Sequence, residues 1–304
     1  MQEEQIVIIG AGVAGLSSAI YAARAYLNPL VLEQSFPGGL AATTYHIDNY
    51  PGFPEGISGT ELVFKMSDQA RKFGARIESQ KVISLKYDRR FNIKTEKSVY
   101  ISKAVIIASG CVPNKLNIPG ETELVGRGVS YCANCDGAFF KNKVVAVVGG
   151  GDAAVSEAIF LTRFASKVYI IHRRKQFRAS KYLEYQARNN DKIELVLEYV
   201  PLGITGDNLV NGIVLQNVVS AEEKNIEIDG VFFYTGWKTE LDFIDLDIKI
   251  SPYGFIITDE KMSCGLPGLF AAGDVRQRPL KQIVTACSDG AIAAVSAEHF
   301  IDNI

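Results

Sequence analysis

Two cysteines stand in the pattern Cys132-Ala133-Asn134-Cys135, and an acid, Asp136, follows at once. A C-x-x-C pair is within disulfide reach, closes a small ring that is readily reduced, and tends to lower the pKa of its thiolate. The adjacent carboxylate is placed to give or take the proton that thiol–disulfide exchange moves. The stretch therefore reads as a device for moving electrons. Zinc binding is the rival reading, but four ligands are needed and neither a second C-x-x-C nor a nearby histidine pair supplies them, so no metal is expected.

Two glycine turns lie around this pair. Near the N-terminus the apolar run Ile6-Val7-Ile8-Ile9 leads into Gly10-Ala11-Gly12-Val13-Ala14-Gly15 and a small-residue helix pattern from Leu16 to Ala25. Strand, tight turn and helix in that order place a pyrophosphate at the helix N-terminus. A second strand, Leu30-Val31-Leu32, ends at Glu33, where an acid bonds ribose hydroxyls. After the cysteines the signal repeats: Lys143 to Val148, then Gly149-Gly150-Gly151-Asp152-Ala153-Ala154. Here the next strand, Lys167 to Ile171, ends in His172-Arg173-Arg174, with Arg178 beyond. An acid at that place repels a 2′-phosphate, whereas guanidinium groups bind one in a fork. The second site should prefer NADPH, and the first a dinucleotide with a free ribose, such as FAD.

Around these turns the chain reads as an α/β protein with two Rossmann-like dinucleotide-binding domains, the second inserted into the first. Residues 1–113 form the first part of an FAD-binding domain, 114–243 an NADPH-binding domain carrying the C-x-x-C, and 244–304 the second part of the FAD domain. Loops at Phe36-Pro37-Gly38-Gly39-Leu40 and Tyr50 to Pro54, with Thr43, Thr44, Asp48 and Asn49 between, can lie along an extended cofactor. A helix is expected over 59–73 and strands over 76–87, which includes Val82, 91–95, 98–101 and 104–110. Pro113 and Pro119 mark a boundary, and the segment 236–240 the return. The tail strand Leu269 to Ala272 ends in Gly273-Asp274, an acid placed for a ribitol or phosphate-linked hydroxyl, and Lys281-Gln282-Ile283 opens an alanine-rich helix.

Composition fits a cytosolic enzyme. The 304 residues, 47% hydrophobic and 22% charged, suffice for two domains with sizeable cores, and a net charge of -2 gives no reason to expect nucleic acid or a membrane as partner. The acidic start Met1-Gln2-Glu3-Glu4-Gln5 lacks the pattern of a leader, and no apolar run reaches a membrane span. Five cysteines are too few for a secreted scaffold, so a cytoplasmic location is expected. Cys111, Cys264 and Cys287 sit in apolar surroundings and read as small buried residues.

In order and spacing, these motifs resemble bacterial low-molecular-weight thioredoxin reductases over essentially the whole chain. The pieces that carry the likeness are the first glycine turn, Pro37-Gly38-Gly39, Cys132 to Gly137, Gly149 to Ala154 with His172-Arg173-Arg174 and Arg178-Ala179, and Phe270-Ala271-Ala272-Gly273-Asp274-Val275. The resemblance implies a homodimeric FAD enzyme that passes electrons from NADPH through flavin to its own disulfide and on to thioredoxin. It implies that Cys135 is the thiol nearer the flavin, that Cys132 attacks the substrate, and that Asp136 is the acid–base partner. It implies FAD contacts at Gly10, Gly12, Ala14, Gly15, Glu33, Gly38, Gly39, Leu40, Thr44, Asn49, Val82, Gly273, Asp274, Lys281, Gln282 and Ile283. For the second nucleotide it implies Gly149, Gly151, Asp152, Ala153, His172, Arg173, Arg174 and Arg178. Leu40 stands where Gln is frequent, Lys281 where Arg is expected, and Ala153 and Ser156 where Ser or Thr and Glu are common.

Both the redox pair and the NADPH turn lie in the inserted segment, so a hinge at about 113–119 and 236–244 is expected to present them to the flavin alternately. Two further readings stay open: reduction of another thioredoxin-like or glutaredoxin-like acceptor, and a redox sensor that consumes NADPH without turnover.

Overall fold

The computed structural model describes residues 2–304 except Tyr45, His46 and Asp48, and the side chains of Thr43, Asn134 and Cys135 also lie outside the described part. The chain forms two units, Met1–Val112 with Lys238–Ile304, and Pro113–Trp237. The return crossing thus falls at Trp237–Lys238 rather than at 243. Leu241, Phe243 and Ile244 pack on the first unit's core, and the Phe243 carbonyl accepts the Leu85 N–H at 2.7 Å, which draws this segment into the first unit.

In the first unit the apolar run near the N-terminus becomes the strand Gln2–Ile9, flanked in parallel by Leu30–Glu33 and Val99–Ile107. Arg76–Ser79 extends the parallel sheet beyond Leu30–Glu33, and Leu269–Ala271 pairs with the carboxyl half of Val99–Ile107. The hairpin Val82–Asp88 and Arg90–Thr95 continues it in antiparallel fashion. Alternation along the central strand feeds two cores: Ile6 and Ile8 enter one cluster, Val7 and Ile9 the other. A strand covered on both faces needs this continuous apolar run.

Two strand expectations are corrected. Segments 98–101 and 104–110 are one strand, Val99–Ile107, because the Ser102 hydroxyl donates to the Ala104 carbonyl at 2.7 Å and the polar pair Ser102-Lys103 is absorbed without a break. Segment 76–87 is two strands, because after Arg76–Ser79 the Gln80 N–H bonds the Glu33 carbonyl at 2.8 Å and the chain then leaves the parallel array.

Register decides where a ligand can lie. Ile9 pairs with Leu32 and Ile107, and Ile107 with Ala271, so these strands end level. Gly10, Glu33, Ala108 and the run Ala272-Gly273-Asp274 emerge together at the carboxyl edge, where open parallel sheets bind their ligands.

The second unit repeats the plan. Its parallel sheet runs Ile193–Leu197, Lys167–His172, Val144–Val148, Gly230–Phe233, Val129–Ser130. A three-stranded antiparallel sheet, Tyr199–Thr205, Gly212–Asn217 and Glu223–Glu227, packs on one face. Its outer strands escape sequence reading: Pro201 and Gly203 interrupt Tyr199–Thr205, and Glu223-Lys224-Asn225 is wholly polar. Val148 pairs with Ile171 and Phe233, and Phe232 with Ser130. Gly149, His172, Tyr234 and Cys132 therefore leave the sheet at one common edge.

Candidate functional site

At the edge of the first unit the helix Val13–Arg24 starts directly after the glycine turn. Close approach fixes the glycines at both ends of that turn: a Cβ on Gly10 would stand 2.5 Å from the Ala108 carbonyl oxygen, and one on Gly15 1.9 Å from the Gly10 oxygen. Gly12 between them faces open space, with no atom within 4 Å of its Cβ position. A turn tight at its ends and open in the middle is what a pyrophosphate needs in order to reach the backbone. Ala14, in the first helical turn, is buried against the core. Glu33 is held beside the turn, its Oε2 accepting the Ala11 N–H at 2.7 Å and its Oε1 the Ser35 N–H at 3.0 Å. A carboxylate oxygen takes more than one bond, so Glu33 retains capacity for a ribose hydroxyl.

The Pro37-Gly38-Gly39 loop closes over the same place. Gly38 donates its N–H to the Ala11 carbonyl at 2.7 Å and pairs with Gly12 as a parallel bridge. Leu40 follows in the 3-10 turn Gly39–Thr43 and is 42% exposed. The Thr44 carbonyl accepts the Gly59 N–H, which ties this loop to the start of the helix Gly59–Lys72. Asn49 and Gln282, far apart in sequence, meet: the Asn49 amide donates to the Gln282 Oε1 at 2.9 Å. Gln282 also caps the helix Ile283–Asp302 through a reciprocal bond with Thr285.

Asp274 carries the clearest sign of a missing partner. Its Oδ1 is buried and has no hydrogen-bond partner among the described residues. Burial raises its pKa, against the opposing charges of Lys281 and Arg278. A buried acceptor is costly unless a donor arrives, and a ligand hydroxyl is such a donor. The Gly273 N–H is already taken by Asp289 at 3.1 Å.

Two of the residues expected at the cofactor have their side chains engaged within the protein. The Lys281 amine is committed to the protein: it donates to the Asp274 carbonyl at 2.6 Å and lies 4.0 Å from the centre of the Phe255 ring. Val82 is buried in the core below the sheet, so only its backbone can face a ligand. Sequence reading missed Asp289, which is 5% exposed and binds Arg276 at 2.9 Å and Arg278 at 2.8 Å. This buried ion network braces the loop that presents Asp274. An acid within the alanine-rich pattern of Ile283–Asp302 was its only signal.

The second unit carries the other turn. The helix Asp152–Leu161 starts after Gly151, whose Cβ position is also open. The loop after Lys167–His172 folds back on the turn, with Arg178 N–H donating to the Gly150 carbonyl at 2.7 Å and Ser180 N–H to Asp152 Oδ1 at 2.7 Å. The His172 ring lies over Gly150, where a Cβ would meet its Nδ1 at 2.3 Å, and stacks on Phe177. Its Nε2 is buried without a partner among the described residues. Burial, then the charges of Arg178, Arg174 and Arg173, lower its pKa against a bond to the Gln176 backbone carbonyl that raises it. All three arginines are exposed, and among the described residues none forms an ion pair. They form a cationic cluster beside the turn. Ala153 lies exposed in the first turn of the helix.

The redox turn begins where Val129–Ser130 ends. Cys132 is disulfide-bonded, whereas Cys111, Cys264 and Cys287 are free, the first two buried. The short helix Ala133–Asp136 follows, and the Asp136 N–H donates to the Cys132 carbonyl at 3.2 Å. Ser130 brackets the first cysteine: its hydroxyl accepts the Cys132 N–H at 3.0 Å and donates to the Cys132 carbonyl at 3.2 Å. The side chain expected to be the second thiol, Cys135, lies outside the described residues.

A disulfide beside one nucleotide turn, in a unit inserted into another built on the same plan, defines a nucleotide-dependent disulfide oxidoreductase. The pyridine nucleotide-disulphide oxidoreductase family matches residues 4–290. The thioredoxin reductase of Bacillus subtilis (strain 168) is 44% identical over 310 residues, covering 100% of this chain and 98% of that one. A bifunctional thioredoxin reductase/thioredoxin of Mycobacterium leprae (strain TN) is 42% identical over 98% of this chain, which spans 66% of the length of that protein. The crystal structure of Lactococcus lactis thioredoxin reductase, in its FR conformation, superposes with a TM-score of 0.84 at 42% identity, covering 99% of this chain and 100% of the other. The chain belongs to the pyridine nucleotide-disulphide oxidoreductase family, among the thioredoxin reductases, which are flavoenzymes using FAD and NADPH.

Proposed function

We propose that this chain is a thioredoxin-disulfide reductase, converting NADPH, a proton and an oxidised thioredoxin into NADP and the thioredoxin dithiol. The observation that carries the reading is the disulfide-bonded Cys132 at the same sheet edge as a glycine turn flanked by three exposed arginines that form no ion pair among the described residues. FAD, when bound, supplies a carrier that accepts a hydride from the nicotinamide and delivers an electron pair to a disulfide.

The open Gly12, Glu33 and the unpartnered Asp274 fit a flavin dinucleotide. Glu33 holds the ribose, Gly12 and the start of Val13–Arg24 hold the pyrophosphate, and Asp274 receives a ribityl hydroxyl. Gly38, Gly39, Thr44 and the Asn49–Gln282 pair wall the cofactor, with Ile283 opening the helix behind. In the second unit Gly151 and the start of Asp152–Leu161 take the NADPH pyrophosphate, and Arg173, Arg174 and Arg178 the 2′-phosphate. Cys132 would attack the substrate disulfide, Cys135 would be the thiol nearer a bound flavin, and Asp136 would move the proton at the leaving sulfur. Assembly as a homodimer and a cytoplasmic location belong to the same reading and rest on the likeness to bacterial relatives. Among the described residues, no helix is long and apolar enough to cross a membrane.

Anaerobic titration tests the whole. NADPH should bleach the flavin, and oxidised thioredoxin should restore its colour through many cycles. Oxidation of a single equivalent without turnover would leave a sensor instead of an enzyme.

A narrower expectation concerns Glu33. Glu33→Ala should weaken FAD binding about 10- to 100-fold, since hydrogen bonds to a charged acceptor are worth about 1.5–3 kcal/mol. Flavin fluorescence on dilution reads this directly, and FAD retained as tightly as in the parent protein would remove Glu33 from the site.

A further inference from the structure

Neither nucleotide site nor cysteine motif accounts for Tyr234. This residue follows the strand Gly230–Phe233, and its backbone is locked against the second glycine turn. Its N–H donates to the Val148 carbonyl at 2.8 Å, and its own carbonyl oxygen lies 2.6 Å from the Cβ position of Gly149. The side chain packs on the second unit's apolar core, to which Val147, Ala154 and Ala158 belong. Its hydroxyl oxygen accepts the Ala133 N–H at 2.8 Å. Ala133 stands directly after Cys132 and is fully buried, so this bond grips the redox turn from within.

Having accepted one bond, the phenol still has a proton to donate. Burial, followed by the charge of Glu157 and then that of Asp136, pushes its pKa up, while the Ala133 amide works the other way. The hydroxyl therefore stays neutral and keeps its capacity to accept the Ala133 N–H. Its bond to Ala133 is made while Cys132 is in a disulfide.

We propose that Tyr234 is a positioning residue for thiol–disulfide exchange: its hydroxyl fixes the Ala133 amide, and with it the Cys132 backbone, in the geometry of the closed disulfide. The inference rests on the redox reading of Cys132 and Cys135 and adds to it a residue that sets the balance between disulfide and dithiol. Opening the disulfide releases the Cys132–Ala133 backbone from this geometry, so a bond fitted to the closed form is weaker in the dithiol, and removing it shifts the equilibrium toward the dithiol.

Tyr234→Phe keeps the ring in its core and removes only the oxygen. Parent and variant holoenzymes are equilibrated anaerobically with dithiothreitol redox buffers, and the dithiol fraction at Cys132 and Cys135 is counted by alkylation and mass. The variant should favour the dithiol about three- to tenfold more than the parent, a potential ~15–30 mV less negative at ~29.6 mV per tenfold for a two-electron couple. Ala133→Pro deletes the donor from the other side, at a first helical position that tolerates proline. It should give the same shift, with no further shift in the double variant. A purely structural role would lower the melting temperature and leave the equilibrium in place, which would overturn the proposal. A parent disulfide that no buffer opens would overturn the redox reading as well, whereas a responsive parent with unmoved variants would remove Tyr234 alone.

Discussion

Serine at position 132 or 135 stops thioredoxin reduction, with kcat/KM falling about 10⁴-fold or more, while NADPH still bleaches the flavin. Loss of a covalent nucleophile has effects of this order, because no neighbouring group takes over the bond-forming step. A hydroxyl cannot form the mixed disulfide through which exchange proceeds. The two variants differ in what they leave behind. If Cys132 faces the substrate, Cys132→Ser keeps a thiol that can meet the flavin, and Cys135→Ser keeps one that can attack thioredoxin. Cys135→Ser should then trap a mixed disulfide through Cys132 with a thioredoxin that keeps one active-site cysteine, activated as its thionitrobenzoate disulfide so that thionitrobenzoate leaves, stable to gel electrophoresis without reductant. A trap formed by Cys132→Ser instead would reverse the assigned order of the two thiols. Asp136→Asn should slow turnover by about 10²–10⁴-fold, the usual contribution of a positioned acid–base group. Equal loss of flavin bleaching and thioredoxin reduction in the cysteine variants would refute the path, since the nucleotide site does not need the disulfide in order to work.

The sequence exposes most of this site because glycine turns and strand ends are local features. Gly10 to Gly15 and Gly149 to Ala154 each follow a buried strand, and local order alone predicts a turn and a helix there. The register of level strand ends then does the rest, bringing Glu33 and Asp274 to the same edge as Gly12 from across the chain. What stays hidden is pairing between distant polar groups. Asn49 with Gln282, and Asp289 with Arg276 and Arg278, obey no spacing rule, since each bond joins elements that only the folded sheet brings together. Tyr234 is hidden for the same reason: nothing in Phe233-Tyr234-Thr235 announces a hydroxyl aimed at Ala133. Lys281 shows a second kind of hidden pairing. Its place in the motif suggests a cofactor contact, yet two backbone carbonyls and an aromatic ring already hold its amine.

Removing Arg173 and Arg174 together raises the KM for NADPH by about 10²- to 10³-fold and leaves the KM for NADH within about a factor of three. The distinction follows from where the charges stand. The arginines project beyond the strand Lys167–His172, at the place where the ribose of a dinucleotide lies over the sheet edge. Forked guanidinium contacts to a dianionic phosphate are among the stronger hydrogen bonds available, and NADH has no phosphate there to lose. The loss should appear in KM with kcat nearly unchanged, since the 2′-phosphate is as far from the hydride in the transition state as in the bound substrate. Salt is the second signature: the arginines are exposed, so NADPH affinity in the parent protein should fall as ionic strength rises, and the double variant should lose most of that slope. Arg173→Glu should go further and favour NADH, because a carboxylate repels the phosphate and bonds the free ribose hydroxyls. KM values rising equally for both nucleotides would mean that the arginines shape the turn itself, through the Arg178 and Ser180 bonds to Gly150 and Asp152, instead of reading the phosphate.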